Sequence, residues 1–209
     1  MFLSLSSNSI EILLKVLSRR LTQMPSQIST VSYLHSPLRH ARAVLSRFTS
    51  LTSLSLQVLP NEQAKLVQAF IGTLDQFATH LVDLSLMGTS PHIAAALAAC
   101  AQLPLMSLSL QIERANADNV DLDSIDKSLA LGFDTLQSLS LVETRGTGRS
   151  PHAFAVPLAA ASRLTRLTVN GLRLDERNVC ALAQATQLRS LTMTLFPISD
   201  EHSLNALST

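Results

Sequence analysis

A six-residue phrase, apolar-x-x-apolar-x-apolar, recurs seven times along this chain of 209 residues. It stands at 28–33 (ISTVSY), 51–56 (LTSLSL), 81–86 (LVDLSL), 105–110 (LMSLSL), 136–141 (LQSLSL), 164–169 (LTRLTV) and 188–193 (LRSLTM). A partial copy opens the chain, where Leu3 and Leu5 take the last two apolar positions. Full copies start between 23 and 31 residues apart. A period of that size marks a stacked repeat architecture.

The phrase has a physical reading. Residues in a strand alternate faces, so the fourth and sixth positions point one way and the fifth points the other. One short strand cannot bury its apolar side alone. Stacked copies can, by forming a parallel sheet whose leucines make a continuous core. The pattern predicts strands at about 30–33, 53–56, 83–86, 107–110, 138–141, 166–169 and 190–193. Parallel neighbours need a crossover, commonly a helix, and each spacer has room for one.

Helix signals sit in those spacers. Ser-Pro recurs at 36–37, 90–91 and 150–151, with Ser as a good N-cap and Pro at the first helical position, where its missing N–H costs nothing. Apolar residues follow at helical spacing: Leu38, Ala41, Leu45 and Phe48 in one spacer, Val179, Leu182 and Ala185 in another. Positions three and six residues upstream of the strand phrase stay apolar or small, as in Leu45/Phe48, Ala130/Phe133, Leu158/Ala161 and Leu182/Ala185. The helix therefore feeds the same core as the strand.

With these features the chain resembles a leucine-rich repeat protein of the helix-bearing intracellular kind, similar to ribonuclease inhibitor and the F-box-associated repeats. The opening LSLSSNSI at 3–10 fits the family phrase L-x-L-x-x-N-x-L, and 172–176 (LRLDE) and 198–201 (ISDE) are similar to its step into the helix. The resemblance covers essentially the whole chain. It implies a right-handed α/β horseshoe of about eight units, with a parallel concave sheet and convex helices, as a single domain over 1–209. The family's ninth position, Asn or Cys, is Asn8 once and then Ser36, Leu59, Thr89, Glu113, Thr144, Leu172 and Phe196. A regular asparagine ladder is therefore not implied, and uneven curvature is. Both ends fall within the pattern, so the expectation is a piece of a longer solenoid without polar end caps.

Composition narrows the class. Net charge is +1, which gives no global pull towards nucleic acid or acidic lipid. The charge is banded, however: +5 over residues 1–60, −7 over 61–143 and +3 over 144–209. Two cysteines make no disulfide framework and suit a reducing compartment, the cytoplasm or nucleus. Cys100 and Cys180 belong to units three apart, at least about 14 Å, whereas a bridge needs Cα atoms within about 7 Å. Both read as small core residues. The apolar run from Ile93 to Leu105 is broken by Gln102 and Pro104, short of a membrane span. The acid-poor start resembles a targeting peptide slightly, but the repeat accounts for the same residues better.

No catalytic, cofactor or metal signature stands out. Asn119, Asp121 and Asp123 alternate like a calcium loop, yet the required Gly and Glu positions hold Ser124 and Ala130. An acidic helix start explains them better. The run 145–150 (RGTGRS) lacks the spacing and the Lys of a nucleotide loop. His92 and His152 share a Ser-Pro-His context, which points to a common helix start rather than to ligands.

The informative set is the outward row. At the fifth position stand Ser4, Ser32, Ser55, Ser85, Ser109, Ser140, Thr168 and Thr192, all hydroxyl residues. Small polar side chains fit a crowded concave floor and can bond across strands. Few large or charged side chains interrupt it: Asp83, Met106, Gln137, Arg166 and Arg189 on the strands, then Glu113, Glu143, Arg145 and Asn170 in rim loops just after them. These nine are the expected contacts of a protein partner. The function expected by analogy is a protein-interaction module, with no enzyme activity and no nucleic-acid, membrane or metal partner. Two alternatives follow from the resemblance: substrate recognition for an F-box-type ubiquitin ligase, and GTPase activation with Arg145 as a charge stabiliser.

Overall fold

The computed structural model describes residues 2–5, 29–33, 38, 41, 45–46, 48–100, 103–113, 125, 135–144, 163–171, 182 and 185–194. Eight strands form one sheet: β1 (Phe2–Leu5), β2 (Thr30–Tyr33), β3 (Ser53–Gln57), β4 (Asp83–Gly88), β5 (Ser107–Glu113), β6 (Ser138–Thr144), β7 (Arg166–Asn170) and β8 (Ser190–Thr194). They lie in sequence order, and every neighbouring pair is parallel. The chain is thus an α/β protein built on a parallel sheet. Each strand begins at the third position of its phrase, as the pattern predicts, and several run one to three residues beyond it.

Register follows the phrase throughout. Leu54, Leu84, Leu108, Leu139, Leu167 and Leu191 face one another strand by strand, as do Ser55, Ser85, Ser109, Ser140, Thr168 and Thr192. Burial alternates with the same period. In β3 to β6 the leucines are buried and the intervening hydroxyls half-buried. The two faces therefore stand as the sequence predicts.

One backbone contact recurs at the start of each strand from β3 to β8. The carbonyl at the second position accepts from two N–H groups of the next phrase. Thr52 C=O takes Val82 (2.9 Å) and Asp83 (3.0 Å); Val82 C=O takes Met106 (2.8 Å) and Ser107 (3.0 Å). Met106 C=O takes Gln137 and Ser138, Gln137 C=O takes Thr165 and Arg166, and Thr165 C=O takes Arg189 and Ser190, all between 2.8 and 3.0 Å. Two threonines add to the tie, the Thr52 hydroxyl donating to Ser29 C=O (3.1 Å) and the Thr165 hydroxyl to Gln137 C=O (3.2 Å).

Helices pack on the leucine face: α1 (Ala64–Ile71), the single turn α2 (Leu74–Phe77) and α3 (Ser90–Cys100). Helix α1 buries Val67, Phe70 and Ile71, and α3 buries Ile93, Ala96, Leu97 and Cys100, in the same cluster as the strand leucines. Leu38, Ala41 and Leu45 are helical and join that cluster with Phe48. Leu182 is partly buried against it, as its upstream position predicts. The other predicted helix positions, the Ser-Pro starts at 36–37 and 150–151, and Ala130, Phe133, Leu158, Ala161 and Val179, lie outside the described residues.

The start of α3 differs from expectation by one residue. Ile93 N–H bonds Thr89 C=O (3.0 Å), so Thr89 opens the helix and Ser90 lies inside it. The Thr89 hydroxyl meets His92 Nδ1 (2.9 Å), while His92 Nε2 meets Glu62 C=O (2.8 Å). A carbonyl can only accept, so Nε2 donates and Nδ1 accepts from Thr89 in the neutral ring. Glu62 also reaches back, its carboxylate accepting from Leu38 N–H (3.2 Å). Three successive spacers are thereby tied through one residue.

Among the described strand leucines whose burial is known, Leu191 stands apart. It occupies a leucine position yet is 44% exposed. Strand β8 is the last in the sheet and has a paired neighbour on one side only.

The two faces have unequal energetic weight. Leu139, 4% exposed, loses about 2–5 kcal/mol of stability on replacement by Ala. Ser140→Ala costs less than about 1 kcal/mol. Urea melts of the two variants check this, and equal losses would mean that the faces are reversed.

Candidate functional site

Parity along each strand decides where the predicted contact residues stand. Asp83 opens β4 and Arg166 opens β7, both at the third position and on the hydroxyl face. Met106, Gln137 and Arg189 are not on strands; each sits one residue before one, at the second position. The backbone there is held by the paired N–H contacts, and the side chains are exposed, Met106 to 42%. The bend that buries the first-position leucine turns the second position outward, which simple alternation does not anticipate.

Three residues expected in rim loops belong instead to strands. Glu113 ends β5 and Asn170 ends β7, both on the hydroxyl face. Glu143 lies in β6 two residues past Leu141, and so on the leucine side, opposite Ile112 and only 8% exposed. It is therefore no surface contact. The strand simply outruns the phrase, and its alternation carries a carboxylate inward. Arg145 lies outside the described residues, as do Asn119, Asp121, Asp123, the run 145–150, His152 and Cys180.

The register sorts the remaining residues into two groups. Asp83, Met106, Gln137, Arg166 and Arg189 come one from each of β4 to β8, or from the residue just before, and all lie at the strand N-termini. With strands about 4.8 Å apart, they form a band about 19 Å long. One end is acidic, the middle apolar and neutral, and the other end basic. Between them stand Ser107, Ser138 and Ser190 of the third-position row. Glu113 and Asn170 belong to the opposite, C-terminal edge of the sheet. Glu113 is six residues along from Ser107, about 20 Å away, so the predicted contacts make two places rather than one.

Gly171 shapes that second edge. It leaves β7 with φ of 74°, and its N–H bonds Thr194 C=O (3.2 Å). A Cβ there would lie 2.7 Å from the Glu143 carbonyl oxygen. Sequence reading passes over this glycine because nothing in the phrase demands one.

Other chemistry is sparse. Among the described residues no three His, Cys, Asp or Glu side chains are placed to hold a metal ion, and no helix is long and apolar enough to cross a membrane. His92 is held within the structure by Thr89 and Glu62, as a helix-start residue should be. Cys100 is fully buried, its Sγ–H donating to Leu97 C=O (3.6 Å), and burial pushes its thiol up to about 12. That suits a core residue and not a nucleophile. No protein-family model matches the chain, and no curated protein matches it either.

Two measurements follow. Gly171→Ala destabilises by more than about 1 kcal/mol, since it adds left-handed strain to a contact with backbone; a denaturant midpoint equal to wild type would refute the crowding. The Cys100 thiol contributes stability that is complete below the unfolded value of 9.0 and is lost as pH rises towards about 12. At pH 10 the wild type should have lost about 1 kcal/mol more than Cys100→Ala, relative to pH 7. Parallel melts of the two proteins at both pH values read the difference, and identical pH dependence would contradict it.

Proposed function

We propose that this chain is a leucine-rich repeat solenoid that binds a protein partner through the hydroxyl face of its sheet, chiefly along the band at the strand N-termini. The band is the observation that carries the reading. Five successive units each contribute one large or charged side chain to a single line, beside third- and fifth-position rows that are otherwise Ser and Thr from β4 to β8. Binding energy concentrates in a few large side chains, with Arg favoured and Ser under-represented among hot spots. The hydroxyls then supply fit, and the band supplies affinity and orientation. Stacking of this kind creates extended binding surfaces, and the repeated phrase, its common register and the helices on the leucine side support the assignment to that architecture. The proposal is of a binding module. A reducing compartment, cytoplasm or nucleus, fits the buried Cys100 thiol.

The test is comparative affinity capture from cell extract, using three forms of the chain. One is wild type. One carries Met106→Ala, Arg166→Ala and Arg189→Ala together. The third carries Lys65→Ala, Leu66→Ala and Gln68→Ala on the exposed side of α1. Circular dichroism establishes that all three are folded. Partners held by wild type should persist with the α1 variant and be lost from the band variant. If the α1 variant loses them and the band variant keeps them, the hydroxyl face is not the binding surface.

A further inference from the structure

The described residues include four Lys and Arg, and three of them, Arg163, Arg166 and Arg189, gather where β7 and β8 begin. The fourth, Lys65, is on α1. All three arginines are exposed. Arg163 was not singled out by the repeat pattern, because it lies in the turn before the phrase.

Their spacing comes from the backbone. Arg166 faces Ser190 across the β7–β8 pair, and Arg189 N–H and Ser190 N–H both donate to Thr165 C=O (2.8 and 3.0 Å). One strand spacing and one residue of offset put the Arg166 and Arg189 Cα atoms about 6 Å apart. Arg163, three residues before Arg166, is at most about 11 Å from it. The N–H groups of Arg166 and Arg189 are engaged with the preceding strand, so their guanidinium groups are what this corner offers to a ligand. Among the described residues none of the acidic side chains is at the corner. Asp83, on the same face, is three strands from Arg166, about 14 Å, well beyond ion-pair reach.

We propose that the Arg163/Arg166/Arg189 corner anchors a compact anionic group on a protein partner, either a run of carboxylates or a phosphorylated side chain. This rests on the binding band argued above and adds the chemistry of what one end of it holds. Guanidinium groups present planar forks that match carboxylate and phosphate oxygens in pairs, and arginine clusters are a recurring reader of such motifs. The band as a whole selects against a polyanion. Asp83 stands at its far end, so an extended nucleic acid following the band would run from attraction into repulsion. A segment that is anionic only at one end and neutral or basic towards Asp83 matches the full length.

Fluorescence anisotropy on the whole chain tests this with labelled Gly/Ser peptides. One carries a short run of Glu, one a single phosphoserine, and one neither; an oligothymidylate is the fourth probe. At least one anionic peptide should bind, weaken with added salt and bind better than the uncharged peptide. Arg166→Gln/Arg189→Gln should weaken it by about tenfold or more, and so should Arg163→Gln in part, while Lys65→Gln leaves it unchanged. Arg166→Lys/Arg189→Lys, which keeps charge and removes the forks, should fall between. Binding lost as pH drops through about 6 identifies the phosphate, whose second ionisation lies there. Binding kept to about pH 5 identifies carboxylates. The proposal is overturned if neither anionic peptide exceeds the uncharged one, if the Gln double variant binds like wild type, or if oligothymidylate binds more tightly than both. The band reading has its own readout: Met106→Ala should reduce partner capture even where the arginine variants leave it intact.

Discussion

Everything in this protein depends on the second-position carbonyl of each phrase, which holds two N–H groups of the phrase that follows. The contact sets the phase of the next strand before that strand begins. Side chains in a strand have a period of two, so a slip of one residue would exchange the leucine and hydroxyl faces entirely. From Ser29 to Thr165 each of these carbonyls repeats the contact within 2.8–3.0 Å, and the leucines consequently meet leucines from β3 to β8. Each fully buried leucine then contributes roughly 1.5–3 kcal/mol, but only because the register delivers it to the core. The hydrogen bonds specify, and the leucines stabilise.

The same periodicity explains how much of the fold is legible in the sequence. Strand starts, the parallel order and the assignment of faces follow from L-x-x-L-x-L, since one short phrase cannot satisfy itself and its copies can. The misreadings occur where the chain leaves the phrase. Glu143 goes inward because β6 continues three residues past Leu141, and a six-residue template carries no information about the seventh to ninth positions. Helix α3 opens at Thr89 and not at Ser90 because the first turn is closed by Thr89 C=O, and both residue types make acceptable caps. Leu191 is exposed in the last strand of the sheet, and a local pattern does not show which copy of the phrase comes last.

Legibility of the site was of a different kind. Four of the five band residues differ plainly from the Ser and Thr around them, and Met106 stands out for size alone, so all five could be picked from the sequence. Their grouping could not. It requires knowing that the second position turns outward and that all eight strands run the same way, which places five residues spread over 107 positions, Asp83 to Arg189, along one edge. Glu113 and Asn170 look equally suited in sequence and end at the opposite edge. Arg163 goes unnoticed because its role depends on nearness to Arg189, 26 residues later. Asp83 and the Arg166/Arg189 pair stand at opposite ends of the band for the same reason: strands in sequence order convert distance along the chain into distance across the sheet.

Amide hydrogen exchange tests the shared register most directly. The N–H groups of Val82, Asp83, Met106, Ser107, Gln137, Ser138, Thr165 and Arg166 all donate to the preceding phrase. They should exchange slowly and with a common dependence on denaturant, as one cooperative unit. The Asn61 amide, in an exposed turn, and amides on the outer side of α1 should exchange far sooner. If the second-position amides exchange as fast as that turn, or if each phrase opens with its own denaturant dependence, the paired contacts do not set the register and the account of this fold fails.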